Sequence, residues 1–322
     1  MASSSPISST PCGRPGDRTA GLPSMTDAGG SSSTVVLRNS GIELSVDPSR
    51  GAKITSLRNP ASGREWLLQD PVPRTAPAYG DVFTDSGMSG WDEMFPTVDA
   101  CRYPGEAVDL PDHGEVWSRP WRVLESTATS IVTEIDGYGL DYRVRRRIDV
   151  AGSRMTCHYR LTTSREQGLA ALWAPHPQFA TVVGTVLELP SVDRVDTQLD
   201  GSSDPFRSVD VPAEGLDVQA LVPKGQGMML YADPEVRVDR AVLVDPDGDW
   251  IEMAWDGRAI PYFAVWMDNG RYAPSPVVCP EPMSGYYDAL LRAHDAERVL
   301  RVAPGVPVEW KLDVTVGRRN RA

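Results

Sequence analysis

Two short segments carry side chains able to move protons, and prolines fence both. In Leu172-Trp-Ala-Pro-His176-Pro-Gln-Phe179 the imidazole lies between Pro175 and Pro177. Proline fixes its own backbone and removes a ladder donor, so His176 does not suit an ordinary central strand. A histidine on such irregular backbone is a candidate acid or base near neutral pH. In Val277-Val-Cys-Pro-Glu281-Pro-Met-Ser-Gly285 the carboxylate follows an apolar strand. Partial desolvation there would raise its pKa and make it a usable base. Read alone, that segment fits an exposed turn glutamate better. His113, in Leu110-Pro-Asp-His113-Gly-Glu115-Val-Trp117, lies where a turn feeds a strand. His158, inside an alternating strand, and His294, among charged residues, read as structural.

His113-x-Glu115 with His176 has the composition of a two-histidine, one-carboxylate triad, the set used by non-haem iron enzymes. A bare His-x-Glu arises readily by chance, so this reading ranks below proton transfer. Asp245-Pro-Asp-Gly-Asp249 fails the EF-hand calcium template, with Trp250 at the sixth position and Asp256 at the twelfth. Asp247-Gly248 between two strand signals is a hairpin turn. Neither segment is expected to hold a metal.

The elements that must hold these groups read as strands. Val35-Val-Leu37, Ile42 to Val46 and Ile54 to Leu57 are short apolar runs broken by turn residues. Ile131 to Ile135, Tyr142 to Ile148 and Met155 to Leu161 continue the alternation, with Gly137, Gly139 and Gly152 between them. Arg143, Arg145 and Arg147 fall on one face, opposite Tyr142, Val144 and, after a slip in the pattern, Ile148. That face is expected to meet solvent. Val236 to Val238, Ala241 to Val244, Trp250 to Met253, Tyr262 to Trp266, Val299 to Val302 and Val308 to Leu312 extend the series. No long stripe of period 3.6 is present, and only Asp288 to Glu297 suits a short helix. The pattern predicts an all-β protein, a large sandwich or barrel of antiparallel sheets.

Residues 1–33, rich in Ser, Pro, Gly and Thr, read as a disordered tail, and 34–322 as a single domain. Within it, the stretch from Gln69 to Asp112 is dense in Pro, Gly and Asp yet carries Phe83, Trp91, Met94, Phe95 and Tyr103. Such a loop can form a binding rim, a satellite core, or both.

The formal net charge of −12 argues against nucleic acid or anionic membrane as a partner. No apolar run is long enough to span a bilayer or to serve as a secretory signal. The four cysteines, Cys12, Cys101, Cys157 and Cys279, form no Cys-x-x-Cys pair and read as idle thiols. A cytoplasmic location is the expectation.

Together these segments resemble the aldose 1-epimerase, or galactose mutarotase-like, family over nearly the whole chain after residue 34. The likeness is carried by Gly51-Ala-Lys-Ile-Thr-Ser-Leu57 with Gly63-Arg-Glu-Trp66, and by Gly90-Trp-Asp-Glu-Met-Phe-Pro-Thr97 with Leu110-Pro-Asp-His-Gly-Glu115. Trp173-Ala-Pro-His-Pro-Gln-Phe179 and Cys279-Pro-Glu-Pro-Met-Ser284 complete it, in matching order and spacing. The resemblance implies a β-supersandwich and a cofactor-free acid/base reaction on a small-molecule sugar. Glu281 would take the anomeric proton, His176 would protonate the ring oxygen, and His113 would orient the sugar. Trp91, Trp117 and Trp173 are candidates for stacking on the ring, and Asp92, Glu93 and Glu115 for binding hydroxyls. One departure is the lack of the Asn-Arg step many members carry in the early loop; Arg102 and Arg119 are loose substitutes, and the sugar stays open. A carbohydrate-binding protein of the same fold without catalysis is the alternative.

Overall fold

A computed structural model describes residues 34–71 and 76–319. The tail expected over 1–33 lies outside the described residues. Three large antiparallel sheets make up the molecule. The first orders Val35–Arg38, Glu43–Asp47, Lys53–Asn59, Trp91–Met94 and Ala174–Pro177, with Arg64–Glu65 paired to Lys53–Asn59. The second has nine strands, with Arg143–Ala151, Arg154–Thr162, Val308–Arg318 and Asp249–Trp255 side by side at its centre. The third orders Phe179–Ala180, Val277–Met283, Tyr262–Asp268, Gly227–Ala232, Arg194–Leu199 and Arg207–Asp210. The period-two pattern predicts this all-β architecture, and the family resemblance its sandwich form. The helices described are the single turn Val218–Leu221, Leu290–Asp295 where a short helix was expected, and the 3₁₀ turn Phe83–Ser86.

Strand Arg143–Ala151 shows why the pattern works and where the reading slipped. Arg143, Arg145 and Arg147 face outward as expected, but the alternation does not break before Ile148. Arg146 occupies the inward position and is fully buried. Its Nη1 lies 2.8 Å from Oε1 of Glu93, a carboxylate on the first sheet. The apparent slip is a charged residue standing at a core position because a partner waits there.

Val236 to Val238 is a second correction. It is not a strand: the Val236 amide closes a turn on the Asp233 carbonyl at 2.9 Å, and only Val238 turns inward. Pro234 and the flanking aspartates leave too short a run to pair. Asp245 to Asp249 does form the expected hairpin, joining Arg240–Val244 to Asp249–Trp255, with Gly248 at φ 95°. The long Gln69 to Asp112 stretch serves both expected purposes. Phe83 and Met88 pack with Leu68, Trp117, Ala273 and Val277 in a small cluster of their own, and the same two residues wall a cavity.

Candidate active site

His176 and Glu281 come together from different sheets. Ala174–Pro177 is the last strand of the first sheet, held by Trp91–Met94, with His176 opposite Asp92. After Gln178 the chain joins the third sheet, where Phe179 pairs with Val278 of the strand carrying Glu281. That strand runs on through both prolines to Met283, so Glu281 sits within a strand rather than at its end. Pro280 and Pro282 share one parity, which removes donors from a single edge and leaves the other edge to pair with Tyr262–Asp268. Nδ1 of His176 lies 2.7 Å from Oε1 of Glu281, and Nε2 has no hydrogen-bond partner among the described residues. The two side chains are 5% and 2% exposed, so the contact is almost sealed from water.

Burial acts on both groups in the same sense, against charge. It pushes the Glu281 carboxyl up to about 8, with nearby His113 opposing. It pushes the His176 imidazole down to about 3, aided by His113. The pair is therefore uncharged at neutral pH, with one proton on the Glu281 carboxyl and the imidazole's own N–H on Nε2.

Both residues open on a cavity of about 240 Å³. His113 and Phe83 also line it, stacked with ring centroids 3.9 Å apart and an interplanar angle of 1°. Each meets His176 edge-on, at 5.4 Å and 5.2 Å. His113 has φ 60° and is followed by Gly114 at φ 74°, where a Cβ would sit 2.1 Å from the Phe95 carbonyl oxygen. Only glycine fits that approach, which aims the imidazole inward. Met88, Met94, Met229 and Trp266 supply apolar wall, and Asp99, Asp112, Asp200 and Asp288 supply carboxylates.

No model of a known protein family and no curated protein matches the sequence. Solved structures do match. The Slr1438 protein of Synechocystis sp. PCC 6803 superposes with a TM-score of 0.69 at 18% identity, over 92% of this chain and all of its own. A galactose mutarotase related enzyme of Lactobacillus acidophilus gives 0.67 at 15% identity, over 88% of this chain and 97% of its own. A galactose mutarotase-like protein of Lactobacillus casei ATCC 334 gives 0.63 at 16%, over 88% and 100%. The chain has the galactose mutarotase-like fold.

Within that fold, several residues expected to touch sugar have other work. Along Trp91–Met94 the even positions face the cavity side and the odd ones face the nine-stranded sheet. Glu93 is therefore interior: besides Arg146 it accepts from the Tyr159 hydroxyl at 2.9 Å and Trp173 Nε1 at 2.8 Å. Trp173 packs among Tyr159 and Trp310, and Trp91 is buried edge-on against Phe179. Asp92 is on the correct face but its carboxylate is held 2.8 Å from Lys53 Nζ, both buried. Glu115 accepts from the amides of Tyr138 and Gly139 and from the Tyr142 hydroxyl, at 3.0, 2.9 and 2.7 Å. Trp117 braces the wall from behind, its Nε1 donating to the Asp112 carbonyl at 3.1 Å and its ring edge-on to Phe83. None of these six lines the cavity.

Because Glu115 is committed elsewhere, His113, Glu115 and His176 do not converge as a metal triad. No other group of three His, Cys, Asp or Glu among the described residues is placed to hold a metal. Arg102 bonds the Glu106 carbonyl and Arg119 the Asp136 carbonyl, both away from the cavity. Asp99, Asp200 and Asp288 escaped the sequence reading, since acidic residues scattered through loops carry no local signature. Asp112 alone had a signal, its place beside His113. No described helix is long and apolar enough to cross a membrane.

Proposed function

We propose that the protein is an aldose 1-epimerase, interconverting the α and β anomers of a sugar by opening and reclosing its ring. The observation that carries this reading is the sealed 2.7 Å contact between His176 and Glu281, with Nε2 unpaired on the cavity. The cavity is smaller than sites for drug-sized ligands and suits one sugar ring rather than a chain. Ring opening needs a proton removed from the anomeric hydroxyl and one delivered to the ring oxygen, with no redox step.

The shared proton favours a relay. His176 gives its Nε2 proton to the ring oxygen as the bond from that oxygen to the anomeric carbon breaks. Its Nδ1 receives the proton held by Glu281, and the second oxygen of Glu281 takes the anomeric hydroxyl proton as the aldehyde forms. After rotation about the C1–C2 bond the same transfers run backwards and close the other anomer. No net charge arises on the pair, which suits its burial away from water. His113 and Phe83 hold the imidazole edge-on and so fix the direction of Nε2.

The test is polarimetry of freshly dissolved α-anomers of several aldoses with and without protein. Accelerated mutarotation that disappears in both Glu281→Gln and His176→Asn supports the reading. Saturable binding without acceleration leaves a non-catalytic carbohydrate-binding protein.

A further inference from the structure

The charge around the cavity is one-sided. Asp99, Asp112, Asp200 and Asp288 line it beside Glu281, and no lysine or arginine among the described residues does. Two of the four aspartates are in direct contact with a histidine or an arginine. Asp112 lies 3.0 Å from His113 Nδ1, and Asp200 lies 2.9 Å from Arg271 Nε. Asp288 differs: its Oδ2 accepts from the Tyr231 hydroxyl, but Oδ1 is enclosed with no donor among the described residues. Enclosure and the nearby Asp99 charge push Asp288 up to about 8, against the opposing Tyr231 hydrogen bond and Arg292 charge. The unpartnered Nε2 of His176, on a residue 4% exposed, opens on the same cavity and marks where a ligand's reacting end would lie.

A sugar phosphate would be repelled by this lining, and a neutral sugar would bring no charge to the two carboxyls, which only the more distant Arg292 and, for Asp99, His113 offset. An ammonium group brings a positive charge and three donors. The geometry points to an aldose bearing a protonated amino group as the preferred ligand, its ammonium held by Asp288 and Asp99 while its anomeric end meets His176 and Glu281. This rests on the epimerase reading for the anomeric end only; the ammonium contact is a matter of binding.

Calorimetric titration of the full chain separates the two. The probes are glucosamine, glucose, N-acetylglucosamine and glucose 6-phosphate, with the galactose series alongside, at a pH where the amine is protonated. The expected result is that one free amino sugar binds at least about tenfold tighter than its neutral parent and its N-acetyl derivative. That ratio should collapse in Asp288→Asn, with Asp99→Asn as a second variant should the first not fold. Equal or weaker binding of both amino sugars, tightest binding of a phosphate, or a ratio that survives both variants overturns the inference. Mutarotation rates on the same sugars judge the other reading. A binding preference with no acceleration removes the epimerase and keeps the ammonium site, and acceleration without preference does the reverse.

Discussion

Nδ1 of His176 lies 2.7 Å from Oε1 of Glu281 across 105 positions of sequence, and each residue arrives on a different sheet. Neither is a plain surface acid or base. Each is sealed, and each is pushed toward its uncharged form.

Removing either member should stop the chemistry. His176→Asn and Glu281→Gln are each expected to lower kcat by about 10²–10⁴-fold. Because the two act as one relay, the double variant should be little worse than the poorer single one. Losses that multiply would mean two independent groups.

The proton's resting place sets the pH profile. With His176 near 3 and Glu281 near 8, the working form of the pair exists between those values. Activity should be flat through neutrality and fall as pH rises through about 8. A rate that instead climbs toward 8 would show Glu281 working as a free carboxylate, and the relay would be wrong.

The same burial makes a stability prediction. Glu281 has a folded pKa of about 8 against an ordinary 4.5, so between them the native state keeps a proton that the unfolded chain has released. Its contribution to stability therefore declines as pH rises across that window, by up to about 1.4 kcal/mol per pH unit. Glu281→Gln removes the titration, so the Tm of the variant minus that of the wild type should grow as pH is raised from 4.5 toward 8. A difference independent of pH would contradict the raised pKa.

Glu93 offers a test of structural against sugar-binding roles. Glu93→Ala leaves the fully buried Arg146 without its partner, a loss of about 3–5 kcal/mol. The denaturant midpoint should drop sharply, and Arg146→Met in the same chain should restore part of it. If Glu93 instead touched sugar, KM would rise with the midpoint unmoved.

The fold was legible because most strands alternate cleanly; that His176 and Glu281 meet was not, since prolines flag each segment but only the family resemblance linked the two. What the sequence hid was direction. Glu93 and Asp92 are neighbours, yet one faces the interior and the other the cavity side, and only the register opposite Ala174–Pro177 tells which. Trp173 sits three residues before His176 but turns to Tyr159 and Trp310. Arg146 looked like a break in pattern because its counter-charge lies 53 residues away. Asp288 gains its meaning only from Asp99 and Tyr231, which no local motif links.

The run Ala174 to Ala180 leaves the first sheet and enters the third. Ala174–Pro177 and Val277–Met283 lie side by side, tied by Trp173 and Ser284 at one end and Phe179 and Val278 at the other, so the gap between imidazole and carboxyl is a calliper reading of that seam, not a property of one loop. Core residues that never see the sugar, by letting the seam ease apart a few tenths of an ångström, would lengthen the proton's path and slow turnover. Slow variants of this protein should therefore be found among its packing residues as readily as around its cavity.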